Sequence, residues 1–335
     1  MSKAKAAVPR RRAARAEPVS GSAAGLYARF AEEAAKAVVG QEDAVRLCAL
    51  AVVVGGHLLL EGVPGIAKTL LAKTIARVLD VAYARIQFTP DLMPADIVGT
   101  AVFDLKTREF TVRKGPVFTN ILLADEVNRA PAKVQAALLE AMEERGVSLE
   151  GETMPLPDPF LVMATQNPVE YEGTYPLPEA QQDRFLFKVV LDYPGPEEEL
   201  EVLRRWNAGV VLRDPAAAGV EPVIDVATLR AARAEVQGVL VDEDIERYIV
   251  QLAIATRNAA ELSLGASTRA EVLLLLASKA AAAFEGRDFV TPDDVKGLLV
   301  PAFRHRLIVR PEAEVAGQTA DSVLQSIVAQ VTPPR

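Results

Sequence analysis

Residues 62–69 read Gly62-Val63-Pro64-Gly65-Ile66-Ala67-Lys68-Thr69 and follow, after Glu61, on the apolar run His57-Leu58-Leu59-Leu60. Lys68 and Thr69 then open a segment in which Leu70, Leu71, Ile75 and Leu79 give one apolar side at helical spacing. A strand that breaks into a glycine-containing loop and restarts as a helix suits an anion. Successive backbone N–H groups converge on one point, and the helix N-terminus adds the positive end of its dipole. Gly62 and Gly65 let the backbone bend and come close, since neither carries a Cβ. Pro64 stiffens the loop. The chemistry implied is the binding of a nucleoside triphosphate with Mg²⁺. Lys68 reaches the β- and γ-phosphates, the Thr69 hydroxyl takes a place on the metal, and Val63, Ile66 and Leu70 complete the binding stretch. The usual pattern has glycine immediately before the lysine. Ala67 stands there instead, one methyl larger and with its N–H intact. An ordinary strand–turn–helix corner uses similar residues, so the loop needs a context.

Two further apolar runs supply one. Ile121-Leu122-Leu123-Ala124 ends in Asp125-Glu126, and Phe160-Leu161-Val162-Met163-Ala164-Thr165 ends in Gln166-Asn167-Pro168. Asp125 is placed to hold Mg²⁺ through water, and Glu126 to polarise the attacking water. Asn167 suits orienting that water or the γ-phosphate. A strand followed by an acidic helix cap, and an Asn favouring the turn before Pro168, are the plainer readings. Three strands ending in polar residues at one edge match the rule for ligand sites in open α/β sheets.

The elements that must position these residues follow from periodicity. Helices are expected near Leu26–Val38 and Gln41–Val54. Strands and helices then alternate to about Leu191, which predicts a mostly parallel sheet with helices on both faces. Tyr193-Pro194-Gly195-Pro196 breaks the chain. Beyond it the pattern is nearly all helical: Glu197–Trp206, a Pro/Ala/Gly linker over Asp214–Pro222, then Asp244–Asn258 and Ser267–Phe284. A further helix starts at Thr291-Pro292, with threonine as N-cap and proline at its first position. The expected division is a basic tail over 1–22 without order, an α/β nucleotide-binding domain over 23–194 and a helical lid over 195–335. A cleft between base and lid would serve as a hinge.

Composition sets outer limits. The 335 residues suit one or two domains with ample core. Half are apolar, yet no run reaches the roughly 18–20 residues of a membrane span. The net charge of −8 argues against a broad nucleic-acid surface. The single cysteine, Cys48, excludes an internal disulfide and reads as a small buried apolar group. The two histidines, His57 and His305, lie too far apart for a conventional His/Cys metal cluster. Lys3, Lys5, Arg10, Arg11, Arg12 and Arg15 crowd the first residues without an apolar core behind them, so that stretch is not a secretory signal.

With these motifs in hand, the chain resembles the AAA+ ATPases and, within them, the MoxR family. GVPGIAKT, RIQFTPDLMPADIVGT, RKGPVF, LLADEVNRAPAKVQAALLEAME, MATQNPVEYEGTYPLPEAQQDRF and GASTRA all look like that family's segments, in its order over roughly residues 26–310. Alanine before the lysine is common in MoxR sequences. The resemblance implies an AAA+ P-loop core, mostly parallel sheet flanked by helices, with a C-terminal all-helical lid. Its phosphate loop is the Walker A motif, and the strand ending in Asp125-Glu126 is Walker B.

Val39-Gly40-Gln41 looks like the box that contacts adenine, with a helix-connecting turn at Gly40 as the alternative. Arg184 looks like the arginine finger that reaches a neighbouring subunit's γ-phosphate; a solvated arginine paired with Asp183 is its alternative. Arg269, in the first turn of a helix capped by Ser267, looks like sensor 2, acting in cis or in trans. Arg129 is a further arginine near the site. Hairpins around Lys106-Thr107-Arg108 and Glu150-Gly151-Glu152 resemble the inserts of the clade that holds MoxR, magnesium chelatase and the MCM helicases.

The family further implies a cytoplasmic Mg-dependent ATPase that forms a ring of identical subunits, a hexamer first of all. It implies chaperone-like remodelling of a protein client and a partner carrying a von Willebrand factor A domain. A nucleic-acid motor and a nucleotide-gated scaffold are the rival readings. Lys106 and Arg108 favour the motor, while acidic Glu150 and Glu152 and the overall charge oppose it.

Overall fold

The computed structural model describes residues 22–334 apart from 64, 105–107, 150, 168–174, 176 and 212. The basic stretch lies outside these residues except for Ser22, as do Pro64, Lys106, Thr107, Glu150 and Pro168.

Helix α1 (Ala23–Ala37) begins where the Ser22 hydroxyl accepts the Gly25 N–H at 3.1 Å, a side-chain N-cap. Helix α2 (Glu42–Val54) stops at Gly55, whose φ of +76° suits a residue without a Cβ. Strand β1 (Leu58–Glu61), helix α3 (Lys68–Val78) and strand β2 (Tyr83–Gln87) follow. A short helix α4 (Pro94–Val98) leads into the hairpin β3 (Gly99–Asp104) and β4 (Glu109–Lys114). Strand β5 (Ile121–Asp125), helix α5 (Ala132–Glu144) and the hairpin β6 (Gly146–Leu149) and β7 (Glu152–Pro155) come next. Strand β8 (Leu161–Gln166), helix α6 (Glu179–Gln182) and strand β9 (Phe187–Val190) complete the α/β part.

Five strands form one parallel sheet in the order β2-β5-β8-β1-β9. The three inner strands β5, β8 and β1 open on continuous apolar runs, as strands covered on both faces require. Alternation then sorts them. Leu58, Leu60, Ile121, Leu123, Leu161 and Met163 join one apolar cluster. Leu59, Leu122, Ala124, Val162 and Ala164 join the other, with Leu138, Leu139 and Met142 of α5. A one-residue slip of register would exchange the two sets. Every leucine of β1 is fully buried, each worth about 1.5–3 kcal/mol.

Beyond Pro194 the chain is helical, as expected, with two differences. Helix α7 (Pro196–Asn207) precedes α8 (Val226–Gly238), which the sequence reading left unassigned after its linker. Only Leu229, Ala232 and Val236 of α8 are buried, a stripe too sparse to read from periodicity, and its start is fixed by the Asp225 side chain accepting from Thr228 N–H at 2.7 Å. Helices α9 (Glu243–Asn258), α10 (Thr268–Phe284), α11 (Pro292–Phe303), α12 (Pro311–Val315) and α13 (Ala320–Gln330) follow. Between them, β10 (Leu262–Leu264) pairs antiparallel with β11 (Ile308–Val309), a small sheet in the otherwise helical region. Tyr27 of α1 stacks on Phe284 of α10 at 4.7 Å, and the apolar cluster runs without a break from β1 into α8, α10 and α11. Cys48 is fully buried and burial pushes its thiol up, consistent with a packing role. No helix among the described residues is long and apolar enough to cross a membrane.

Candidate active site

The C-terminal ends of the parallel strands open on a cavity of about 860 Å³. Its floor is the loop and the first turn of α3: Gly65, Ile66, Ala67, Lys68, Thr69 and Leu70. Asp125, Glu126 and Asn167 reach it from the ends of β5 and β8. Val39 and Gln41 line another wall beside Ala37 and Val38. Tyr193, Pro194, Val202 and Arg213 close the side toward α7. The structure thus brings together most of the sequence-predicted site. Gly40, Gly62 and Val63 support it from outside the lining.

The glycines have specific reasons. Gly65 sits at φ +90°, a conformation a side chain rarely adopts. A Cβ on Gly62 would lie 2.7 Å from the Leu191 carbonyl oxygen, so the loop could not stay against β9. Gly40 is at φ +69°, and a Cβ there would meet Glu198 at 2.5 Å. Gln41 donates from Nε2 to the Asp192 carbonyl at 2.8 Å, joining the α1–α2 turn to the chain leaving β9. Ala67 is at φ +49°, in the left-handed region where the usual glycine is free of strain. Lys68 Nζ donates to the Gly62 carbonyl at 2.7 Å, which folds its side chain back across the loop.

The two acids are held by groups of which the sequence reading singled out only Arg129. Arg85 donates to Asp125 Oδ2, with its Nη2 at 2.6 Å, and to Gln87 Oε1 at 2.8 Å. Gln87 in turn donates to Glu126 Oε2 at 2.7 Å, and Arg129 Nη1 lies 3.0 Å from the same oxygen. The Thr165 hydroxyl donates to Asp125 Oδ1 at 2.6 Å and accepts from the Glu126 N–H at 2.8 Å. That second bond fixes Glu126 at φ +55°, another left-handed residue at the site. Arg85 and Gln87 alternate on β2 in register with β5, Gln87 lying beside Asp125. A hydroxyl at Thr69 and a carboxylate at Asp125 are hard oxygen donors that suit Mg²⁺. The Arg85 guanidinium on Asp125 marks that side of the cavity as a place for positive charge.

Arg184 and Arg269 do not line the cavity. Both sit on Glu143 at the end of α5: Arg184 Nη2 at 2.6 Å from Oε2, and Arg269 Nη2 at 2.8 Å from Oε1. The two guanidinium groups, Arg269 first and then Arg184, hold the Glu143 carboxyl below the usual range. The pairing of Arg184 with Asp183 therefore does not occur. Asp183 instead accepts from Arg306 and Ser267. Arg184 precedes β9, and the Leu186 N–H donates to the His57 carbonyl just before β1. Arg184 thus lies at the N-terminal edge of the sheet, a strand's length of roughly 13 Å from the phosphate-loop edge. Ser267 caps α10 by accepting the Ala270 N–H at 3.1 Å, which sets Arg269 in the first turn, against the helix dipole. Glu143 supplies the compensating charge.

This sheet order, this loop and these strand ends define a P-loop ATPase of the AAA+ class. The model of the ATPase family associated with various cellular activities matches residues 57–187, and that of the AAA lid domain matches residues 254–327. Chaperone MoxR1 of Mycobacterium tuberculosis is 44% identical over 336 residues, spanning 95% of this chain and 87% of that protein. Protein MoxR of Methylorubrum extorquens is 32% identical over 329 residues, spanning 92% of this chain and 95% of its own. A crystal structure of a candidate ATPase from Cytophaga hutchinsonii superposes with a TM-score of 0.85 at 42% identity, covering 93% of this chain and 96% of that one. The chain belongs to the MoxR family of AAA+ ATPases.

Proposed function

We propose that this chain is the ATP-hydrolysing subunit of a cytoplasmic ring, a hexamer, that uses the cycle to remodel a protein client. A partner with a von Willebrand factor A domain would present the client. Nucleotide binding draws on the loop N–H groups and Lys68 for the phosphates, and on Val39, Gly40 and Gln41 for the base. Thr69 directly and Asp125 through water would hold Mg²⁺, which would supply neutralisation of the phosphate charge. Glu126 takes the proton of the attacking water, and Asn167 holds the γ-phosphate side of that water. Thr165 and Gln87 keep the carboxylates aimed. The base over 23–194 and the lid over 195–335 would change angle as nucleotide turns over.

One observation carries the ring: Arg184 and Arg269 are paired on Glu143 at the sheet edge away from the cavity. From there neither serves its own protomer's phosphates, and both suit a neighbour's. This reading gives Arg269 a trans role. The test is Glu126→Gln. The variant should bind Mg-ATP, assemble with it and lose turnover, and should retain bound proteins in a pull-down. Unchanged turnover would remove Glu126 as the base. A protein that stays single at saturating nucleotide would remove the ring.

A further inference from the structure

The segment 304–306 carries a buried cation that the proposed catalytic cycle does not use. Arg306 is 3% exposed. Its Nε donates to Asp183 Oδ1 at 2.7 Å, and its Nη2 donates to the carbonyls of Asp183 at 2.9 Å and Phe185 at 2.7 Å. Its Nη1 donates to the Ala302 carbonyl at the end of α11. One guanidinium therefore reads the backbone on both sides of Arg184. The Asp183 carboxylate is shared: the Ser267 hydroxyl donates to it at 3.0 Å, two residues before Arg269. A buried ion pair contributes little net stability compared with a well-packed apolar replacement. What it supplies is geometry, because a planar fork fixes several acceptors at once.

Resting on the trans role of the arginines proposed above, we infer that Arg306 is a positioning residue that sets Arg184 and Arg269 as one pair. It clamps the turn bearing Arg184 to the end of α11, while Asp183 clamps the same turn to the cap of α10. Arg184 on the base and Arg269 on α10 are thereby held in one fixed relation. The pair is presented to the next protomer's phosphates as a unit, with no contact between Arg306 and nucleotide.

The test is a double-mutant cycle on steady-state ATP turnover. Lysine keeps the charge of Arg306 but loses the fork. Arg306→Lys should leave KM for Mg-ATP within about twofold and lower kcat at least tenfold. In an Arg184→Ala/Arg269→Ala background, the same substitution should change kcat less than twofold. An unchanged kcat for Arg306→Lys, or an equal further drop in that background, overturns the inference. Should Arg306→Lys fail to fold, Ser267→Asp keeps an oxygen cap for α10 and sets a carboxylate against Asp183. It must lower kcat by a similar factor, and full turnover there overturns the inference as well. If Arg184→Ala/Arg269→Ala itself keeps full turnover, the trans reading fails first, and Arg306 has nothing to position.

Discussion

The cavity and the Glu143 edge are two charged regions built in opposite ways. The cavity is a partly open recess framed by the fold: a loop, a helix N-terminus and strand ends that cannot move without breaking the sheet. The Glu143 edge is open and assembled from long side chains, with Arg269 43% and Glu143 37% exposed. A recess framed by sheet and loop can be complete within one chain. Two arginines on one partly exposed carboxylate suit the proposed resting arrangement, held until a stronger anion arrives. The difference fits the proposed division, with binding in the first region and completion of charge in the second. It predicts that the two fail differently.

The largest effect is expected at the edge. Arg184→Ala should lower kcat by about 10³-fold or more, the range seen for arginine fingers, while ATP affinity stays near normal in a direct binding titration. A matched loss of affinity would place Arg184 at its own pocket and erase the contrast. Within the cavity, Gln87→Ala frees one hydrogen bond to Glu126, and turnover should fall about tenfold with assembly unaffected. No change would mean that Arg129 alone orients the carboxylate.

A third prediction concerns the frame that joins the regions. His57 precedes β1, accepts the Val162 N–H at Nδ1 at 3.0 Å and lies 3.3 Å from the Met142 carbonyl, one residue before Glu143. Burial pushes its pKa down to about 4, opposed only in part by the Met142 hydrogen bond. The unfolded chain takes up the proton first. The contribution is therefore complete above about pH 6.5 and is lost as pH falls toward 4, up to about 3 kcal/mol. Chemical denaturation across that window should show His57→Gln losing part of the wild-type slope, and an equal slope would assign it elsewhere.

The smallest effect is at Ala67. Its left-handed backbone disfavours alanine by about 1–2 kcal/mol, and the looser unfolded chain of a glycine variant gives back about 0.4–1. Ala67→Gly should raise the melting temperature slightly, and a fall would show that the methyl packs usefully.

The sequence reading located the cavity's lining where its residues are contiguous. Residues 62–69 sit together in the chain and in space, and the ends of β5 and β8 announce themselves by apolar runs that stop at acids or amides. It missed groups whose polarity has a simpler explanation. Arg85 and Gln87 alternate on an edge strand, where polar residues facing solvent are ordinary; only the register beside Asp125 and Glu126 gives them meaning. Glu143 hides in the Glu143-Glu144 end of a helix, and Arg306 among Arg304, His305 and Arg306. Asp183 looked like a partner for its neighbour Arg184, but adjacent side chains in a turn diverge, and a buried guanidinium competes better for the carboxylate. The helix α8 escaped because it shows the core only three side chains.

The central claim is that one protomer's loop works with its neighbour's arginines. The direct measurement mixes two inactive variants: Lys68→Ala, with no competent pocket but intact arginines, and Arg184→Ala, with an intact pocket and no finger. Hydrolysis should return in the mixture, highest at intermediate ratios, because each shared interface can pair a good pocket with a good arginine. Mixed rings that form and remain as inactive as either parent would contradict the account.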